Sequence, residues 1–290
     1  MSKSKKRVVI HEDDVGMSHG ANMAFVELSK LGTCSSGSVM VPCPWFPEAA
    51  ELATKDASLD VGVHLTLTSE QKPYRWRPLT SPPKSAGLTD DYGYFWPTVP
   101  QARKAHPEAV EAELRAQIDV AVAAGIDITH FDCHMGTAQM PEFTAILRKL
   151  GAEYRQPVLL VKDLSKYNPA SYAGQLDVGR YDAEIVKAKA IGEPVFDIVL
   201  ETPWARKTDA KTAYYEMFKA IPDGLTFLSL HFNTVGDFET INPPDAHLRT
   251  EEYELFAMSS VIKDWIAEFD VEVIGMRTLR DDLRANVYRA

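Results

Sequence analysis

The chain has 290 residues, 45% of them hydrophobic and 25% charged, with a formal net charge of −10. That composition excludes a disordered or fibrous chain, and an acidic balance without a basic stripe argues against a nucleic-acid-binding surface. The one dense basic run, Lys3, Lys5, Lys6 and Arg7, leads into only three apolar residues, Val8, Val9 and Ile10. Three are too few for a signal-peptide core or a membrane span, so no membrane partner and a cytoplasmic location are expected.

Alternation of strand and helix patterns begins at once. Arg7–His11 is a β-branched run that delivers Glu12, Asp13 and Asp14 at its C-terminal end. Ser18 is placed to cap a helix over Gly20–Leu31, with Ala21, Ala24, Phe25 and Leu28 as its apolar stripe and Gly32 as its stop. Gly37–Val41 reads as a strand, Pro47–Lys55 as a helix with Ala49, Ala50 and Leu52 inward, and Asp60–Thr68 as the next strand. From about Ser69 to His106 the pattern gives way to an insertion rich in Pro, Gly and aromatic residues, among them Tyr74, Trp76, Tyr92, Tyr94, Phe95 and Trp96. Loops of that length are usually functional, and these aromatics either stack on sugar rings or pack the insertion onto the domain.

Pro107–Ala124 is a helix with Pro at its start, acids in its first turns and Val110, Leu114, Ile118 and Val122 on one face, ended by Gly125. A strand over Ile128–Asp132 carries His134 at its end, and Glu142–Leu150 is the following helix. Pro157–Val161 reads as a strand, then an irregular stretch runs to about Gly179, then a helix over Tyr181–Ile191. Val195–Leu200, Leu225–His231 and Val271–Ile274 complete seven or more strands, separated by helices over Lys211–Ala220 and Glu251–Phe269. The expected fold is α/β, mostly parallel strands with helices outside, as an open sheet or a barrel. With no Gly/Ser-rich linker or repeat, residues 1–290 are expected to form a single domain carrying the insertion at about 69–106.

The ionisable residues gather where such a fold does chemistry. Asp13 and Asp14 end the first strand, His64 lies in the third, His134 follows the fourth and His231 ends a late one, so all belong to one rim. One carboxylate and two imidazoles, Asp14, His64 and His134, suit a divalent ion that keeps positions open for water and substrate. Each residue also has an ordinary role open to it: a strand or loop histidine satisfied by hydrogen bonds, or a carboxylate pair at a helix N-terminus. Adjacent carboxylates repel unless a cation lies between them, and with Asp14 as ligand Asp13 is free to take a proton from water. Cys34, Cys43 and Cys133 follow no CxxC spacing, so neither disulfides nor a thiolate zinc site is expected.

The segments Val9-Ile10-His11-Glu12-Asp13-Asp14-Val15-Gly16-Met17-Ser18, Gly62-Val63-His64-Leu65-Thr66-Leu67-Thr68 and His130-Phe131-Asp132-Cys133-His134 resemble the YdjC-like carbohydrate deacetylases, a family that includes chitooligosaccharide (diacetylchitobiose) deacetylase. The resemblance implies a distorted, TIM-like (β/α) barrel, one divalent ion (Zn²⁺ or Mg²⁺) on Asp14, His64 and His134, and Asp13 as catalytic base. It also matches His231 to a late strand-end histidine and Arg249 to an arginine in the helix that follows, with Glu252 close behind. His231 would suit a general acid or an oxyanion donor, and Arg249 an orienter of a carboxylate, though a structural histidine and a surface arginine stay open. Trp76 and Trp96 are the candidate sugar-binding aromatics. His11-Glu12 replaces the family's usual Asn-Ala, and Phe232-Asn233 its usual Pro-Gly, departures expected to bear on the substrate.

The implied reaction is hydrolysis of the N-acetyl group of a small N-acetylated sugar or oligosaccharide. Two other readings remain at this stage: a metal-dependent hydrolase of another amide or ester, phosphoesters included, and a non-catalytic carbohydrate-binding protein on the same fold. The expected partner is the small sugar, and a homodimer is left open.

Overall fold

The computed structural model describes residues 5–167 and 170–288. Lys3 of the basic run and residues 168–169 of the irregular stretch lie outside the described residues. One sheet contains β1 (Lys6–Val15), β2 (Ser36–Val39), β3 (Val61–Leu65), β4 (Ile128–Cys133), β5 (Ile198–Glu201), β6 (Gly224–Leu230) and β7 (Val271–Val273). Every pairing is parallel, in the order β4-β3-β2-β1-β6-β5, with β7 joined to β1. β1 is buried from Val8 to Val15 on both faces, as a central parallel strand requires.

The two ends of that order are joined by residues 157–161. Val158 bridges Phe131 of β4, and Val161 bridges Phe196 just ahead of β5. Leu159 N–H donates to Phe131 O and Phe196 N–H to Leu160 O, both at 2.8 Å. The sheet thus closes into a distorted barrel. The expected strand over Pro157–Val161 is corrected to two single bridges: the segment changes neighbour within a few residues, and the Tyr181 hydroxyl takes up both the N–H and the C=O of Val161.

Helices cover the outside. α1 (His19–Leu31) starts where Ser18 accepts the Ala21 N–H at 3.0 Å and stops at Gly32 in the left-handed conformation. α2 (Phe46–Lys55) and α3 (Pro107–Ala123) pack Ala49 and Ala50, and Val110, Leu114, Ile118 and Ala121, respectively, into the core. Val122, expected on that last stripe, is exposed. Twelve residues after Val110, at about 100° each, it has drifted roughly 120° around the helix. Next come α4 (Thr144–Tyr154), α5 (Val178–Ile191) and α6 (Ala210–Lys219). The helix expected over Glu251–Phe269 is two, α7 (Pro243–Ala257) and α8 (Ser259–Glu268), because Met258 leaves helical geometry at ψ 67°. A last helix, α9 (Met276–Asn286), was not anticipated and buries Met276, Leu279 and Leu283.

The insertion folds back on the barrel. Glu113 of α3 accepts the N–H groups of Leu79 and Thr80 at 3.0 and 2.9 Å, and Thr68 bridges Trp96. Trp76, Leu88 and Phe95 are buried beneath it.

Candidate metal centre and its cavity

Consecutive residues of a regular strand point to opposite faces, yet Asp13 and Asp14 both line one cavity. The pairing of β1 with β2 shifts register between Glu12 and Val15, and Asp14 sits in the left-handed region at φ 62°. A non-glycine residue there is strained by about 1–3 kcal/mol, which turns its carboxylate toward the rim. Met135, directly after His134, repeats the device at φ 52°.

One ligand atom from each of Asp14, His64 and His134 falls within a 4.8 Å group, and all three residues are buried. Asp14 Oδ1 lies 3.6 Å from His64 Nε2 and 3.0 Å from His134 Nδ1. Despite that proximity, Oδ1 has no hydrogen-bond partner. A buried carboxylate oxygen without an aligned hydrogen bond and facing two imidazole nitrogens is an environment that a divalent cation satisfies.

Each imidazole is set by a carboxylate behind it. His64 and Asp132 are register partners on β3 and β4, which puts their side chains next to each other. His64 Nδ1 is 3.0 Å from Asp132 Oδ2 and 3.0 Å from Ser38 Oγ, while the Ser38 hydroxyl donates to Asp132 at 2.9 Å. The Nδ1 proton therefore faces Asp132 and Ser38, and Nε2 is free toward Asp14. His134 is turned the other way, donating from Nε2 to Glu70 at 2.9 Å and presenting Nδ1. Burial opposes charge on His134, but Glu70 and Asp14 lift it to about 10. Arg249, on α7, donates to Asp14 Oδ2 at 2.9 Å. Burial would raise the Asp14 carboxyl, but Arg249 and His134 hold it well below the usual range.

Asp13 is gripped at both oxygens: Oδ1 lies 2.7 Å from His11 Nδ1, and Oδ2 accepts from the Ser229 hydroxyl at 2.6 Å. Burial works to raise this carboxyl, and the His11 hydrogen bond with the His64 charge outweighs it, leaving Asp13 ionised. His231, at the end of β6, places Nε2 3.8 Å from Asp13 Oδ2. Thr202 donates to Glu252 at 2.8 Å, so it accepts from His231 Nδ1 at 2.9 Å. Burial and the Arg249 charge push His231 down to about 4, so the resting imidazole is neutral, with a lone pair on Nε2.

A cavity of about 390 Å³ opens over this rim, lined beyond the site itself by Glu70, Tyr167, Tyr172, Glu201 and Trp204. Burial and the Asp13 charge raise Glu201 to about 7. Trp76 and Trp96 are not among its lining residues. The Trp76 indole N–H donates to Thr68 O at 2.8 Å, with the ring packed edge-on to His134, and Trp96 donates to Gly87 O at 2.9 Å. The aromatic wall comes instead from segments after residue 161 and after β5. Arg249 is buried, not at the surface.

The two sequence departures also sit elsewhere than expected. His11, Glu12, Phe232 and Asn233 are buried and do not line the cavity. Glu12 accepts the Phe232 N–H at 2.8 Å, and Asn233 donates to Ser18 at 2.6 Å, so they brace the rim from behind. Cys34, Cys43 and Cys133 are free and buried, and burial raises all three thiols.

Glu70, Asp132, Ser38, Ser229 and Thr202 were not singled out from the sequence. The signal available was thin: Asp132 stands two residues before His134 in a strand, and Glu70 just past the strand that carries His64.

Fold and site together define a parallel α/β barrel with a His/Asp cluster at the C-terminal rim of its strands. The chain belongs to the YdjC-like protein family, which it matches over residues 7–268. It is 30% identical to a carbohydrate deacetylase of Thermus thermophilus over 268 residues, 91% of each chain. It is 37% identical to a carbohydrate deacetylase of Brevibacillus brevis over 152 residues, 52% of this chain and 58% of that one. Among solved structures, an Enterococcus faecalis protein whose suggested role is cellobiose-phosphate cleavage superposes with a TM-score of 0.75 at 22% identity, covering 94% of this chain and 98% of that one.

Proposed function

We propose that this protein hydrolyses the N-acetyl group of a small N-acetylated sugar or oligosaccharide, releasing acetate and a free amine. The observation that carries the reading is the buried Asp14 Oδ1, which has no aligned hydrogen bond and faces His64 and His134, with the ionised Asp13 beside it. The relatives named carbohydrate deacetylase support the substrate class.

Asp14, His64 and His134 would hold one divalent ion, Zn²⁺ or Mg²⁺, which when bound supplies Lewis acidity toward the acetyl carbonyl and the attacking water. Asp13 accepts the proton of that water as its oxygen bonds to the carbonyl carbon. His11 and Ser229 hold the Asp13 carboxylate in one orientation while it does so. His231 Nε2, unprotonated at rest and within 3.8 Å of Asp13, is placed to take the proton and deliver it to the sugar nitrogen as the C–N bond breaks. It acts as an acid only after that transfer. Arg249 holds Asp14 as a ligand and not as an acid. Tyr167, Tyr172 and Trp204 offer faces for a sugar ring.

The wall disfavours a phosphoester substrate. Asp13, Asp14, Glu70, Glu201 and Asp245 line the cavity against Arg249, whose charge is already paired with Asp14. No helix among the described residues is long and apolar enough to cross a membrane. Three buried, unpaired thiols fit a reducing compartment, and we place the activity in the cytoplasm on that ground.

Asp13→Asn keeps the shape of the side chain and removes its basicity. We expect kcat to fall about 10²–10⁴-fold with bound metal unchanged. Acetate release and metal content measured on the same sample decide it, and full activity in that variant would remove Asp13 from the mechanism.

A further inference from the structure

The pairing of β6 with β1 ends at Leu230, and the next two N–H groups are taken by buried carboxyl groups. Glu252 Oε2, on α7, accepts the His231 N–H at 2.7 Å, and Glu12 Oε2 accepts the Phe232 N–H at 2.8 Å. Glu252 also reaches the His231 ring by a second route. Its Oε1 accepts the hydroxyls of Tyr214 and of Thr202, the latter at 2.8 Å, and Thr202 Oγ1 lies 2.9 Å from His231 Nδ1. Tyr214, on α6, is fully buried and packs edge-on to Phe256, with ring centroids 5.5 Å apart.

We infer that Glu252 and Thr202 are positioning residues for His231: one carboxylate holds its main chain directly and, through a single hydroxyl, dictates which ring nitrogen faces the reaction. The hydrogens close with every group in its ordinary state. The contacts of Tyr214 with Glu252, Thr202 with Glu252 and His231 with Thr202 need one each, and two hydroxyls and one imidazole Nδ1–H supply them. A carboxylate only accepts, so the Thr202 hydrogen is committed to Glu252 and a lone pair is left toward the ring. His231 therefore carries its hydrogen on Nδ1 and presents the Nε2 lone pair 3.8 Å from Asp13 Oδ2. That tautomer can take a proton from Asp13 and pass it to the departing amine. An amide at this position would invert the arrangement. In Glu252→Gln the His231 N–H, which can only donate, claims the amide oxygen, and the amide N–H turns to Thr202. The Thr202 hydroxyl then donates to Nδ1, and the ring hydrogen moves to Nε2.

The inference rests on His231 as proton carrier in the proposed deacetylation, so its test includes a readout independent of turnover. Burial raises Glu252 to about 7, so the zinc-loaded full chain is measured at about pH 8.5, where the carboxyl is ionised. Imidazole ¹⁵N shifts are expected to place the His231 hydrogen on Nδ1 in the unmodified protein and on Nε2 in Glu252→Gln. Thr202→Val removes the hydroxyl and is expected to lower kcat toward an N-acetylated sugar about ten- to a hundredfold, with KM and zinc content unchanged, and Thr202→Ser to restore it. Hydrolysis of 4-nitrophenyl acetate, whose leaving group departs without a proton, is expected to change less than about twofold in Thr202→Val. An Nε2–H ring in the unmodified protein, an unchanged tautomer in Glu252→Gln, wild-type kcat in Thr202→Val, or equal losses on both substrates would overturn it. Absence of deacetylation in the unmodified protein would count against the functional reading, and the tautomers would still decide how His231 is held.

Discussion

The two halves of the rim are held very differently. On the side of β1, β3 and β4, the ligand candidates Asp14, His64 and His134 are at most 4% exposed, and each has a charged partner that dictates its orientation: Arg249, Asp132 and Glu70. On the side of β5 and β6, His231 is partly exposed, Trp204 is 36% exposed, and Glu201 lines the cavity with no partner among the described residues. The first half is held in one geometry, which suits the proposed metal-assisted reaction. The second is an open wall, where the proposed sugar substrate would be accommodated and where specificity would change without touching the chemistry.

If that division is correct, perturbations on the first side reach the metal and perturbations on the second reach the substrate. The largest effect is on metal affinity with pH. His134 is lifted to about 10, so at neutral pH the metal-free imidazole carries a proton that an ion must displace from Nδ1. Apparent affinity therefore rises with pH between about 7 and 10, by up to about tenfold per unit, with proton release on binding. Calorimetry in buffers of different ionisation enthalpy reads that release. Asp132→Asn comes next. It leaves Ser38 and His64 in place but removes the charge behind Nδ1, and metal affinity is expected to fall about 10–100-fold with KM little changed. Smallest is Trp204→Ala, expected to raise KM about three- to tenfold while leaving metal content and stability alone. A Trp204→Ala protein that lost its metal would erase the distinction between the two halves.

Much of this was legible in the sequence because parallel α/β proteins deliver chemistry at strand ends, and the relevant residues stand at those ends. The alternation located β1, β3, β4 and β6, and with them Asp13, Asp14, His64, His134 and His231. What was not legible depends on contacts between segments. The pairing of His64 with Asp132 is a property of the β3–β4 register, which neither strand encodes alone. Glu70 reaches His134 across 64 residues of chain. Trp76 looked like a sugar platform because it lies in an aromatic loop, yet that loop folds inward and buries it, while Tyr167, Tyr172 and Trp204 come from stretches without a pattern. His11 and Glu12 drew attention to the substrate, but closure of the barrel turns them away from the cavity and toward the support of Asp13 and β6.

The most direct test of the whole account is acetate release from a panel of N-acetylated sugars, measured on protein stripped with chelator and then supplied with Zn²⁺ or Mg²⁺. The expected result is no acetate from the stripped protein and restored release, in molar balance with free amine, after metal is returned. Acetate release that persists without metal, or fails with every ion and every N-acetyl sugar, would contradict it.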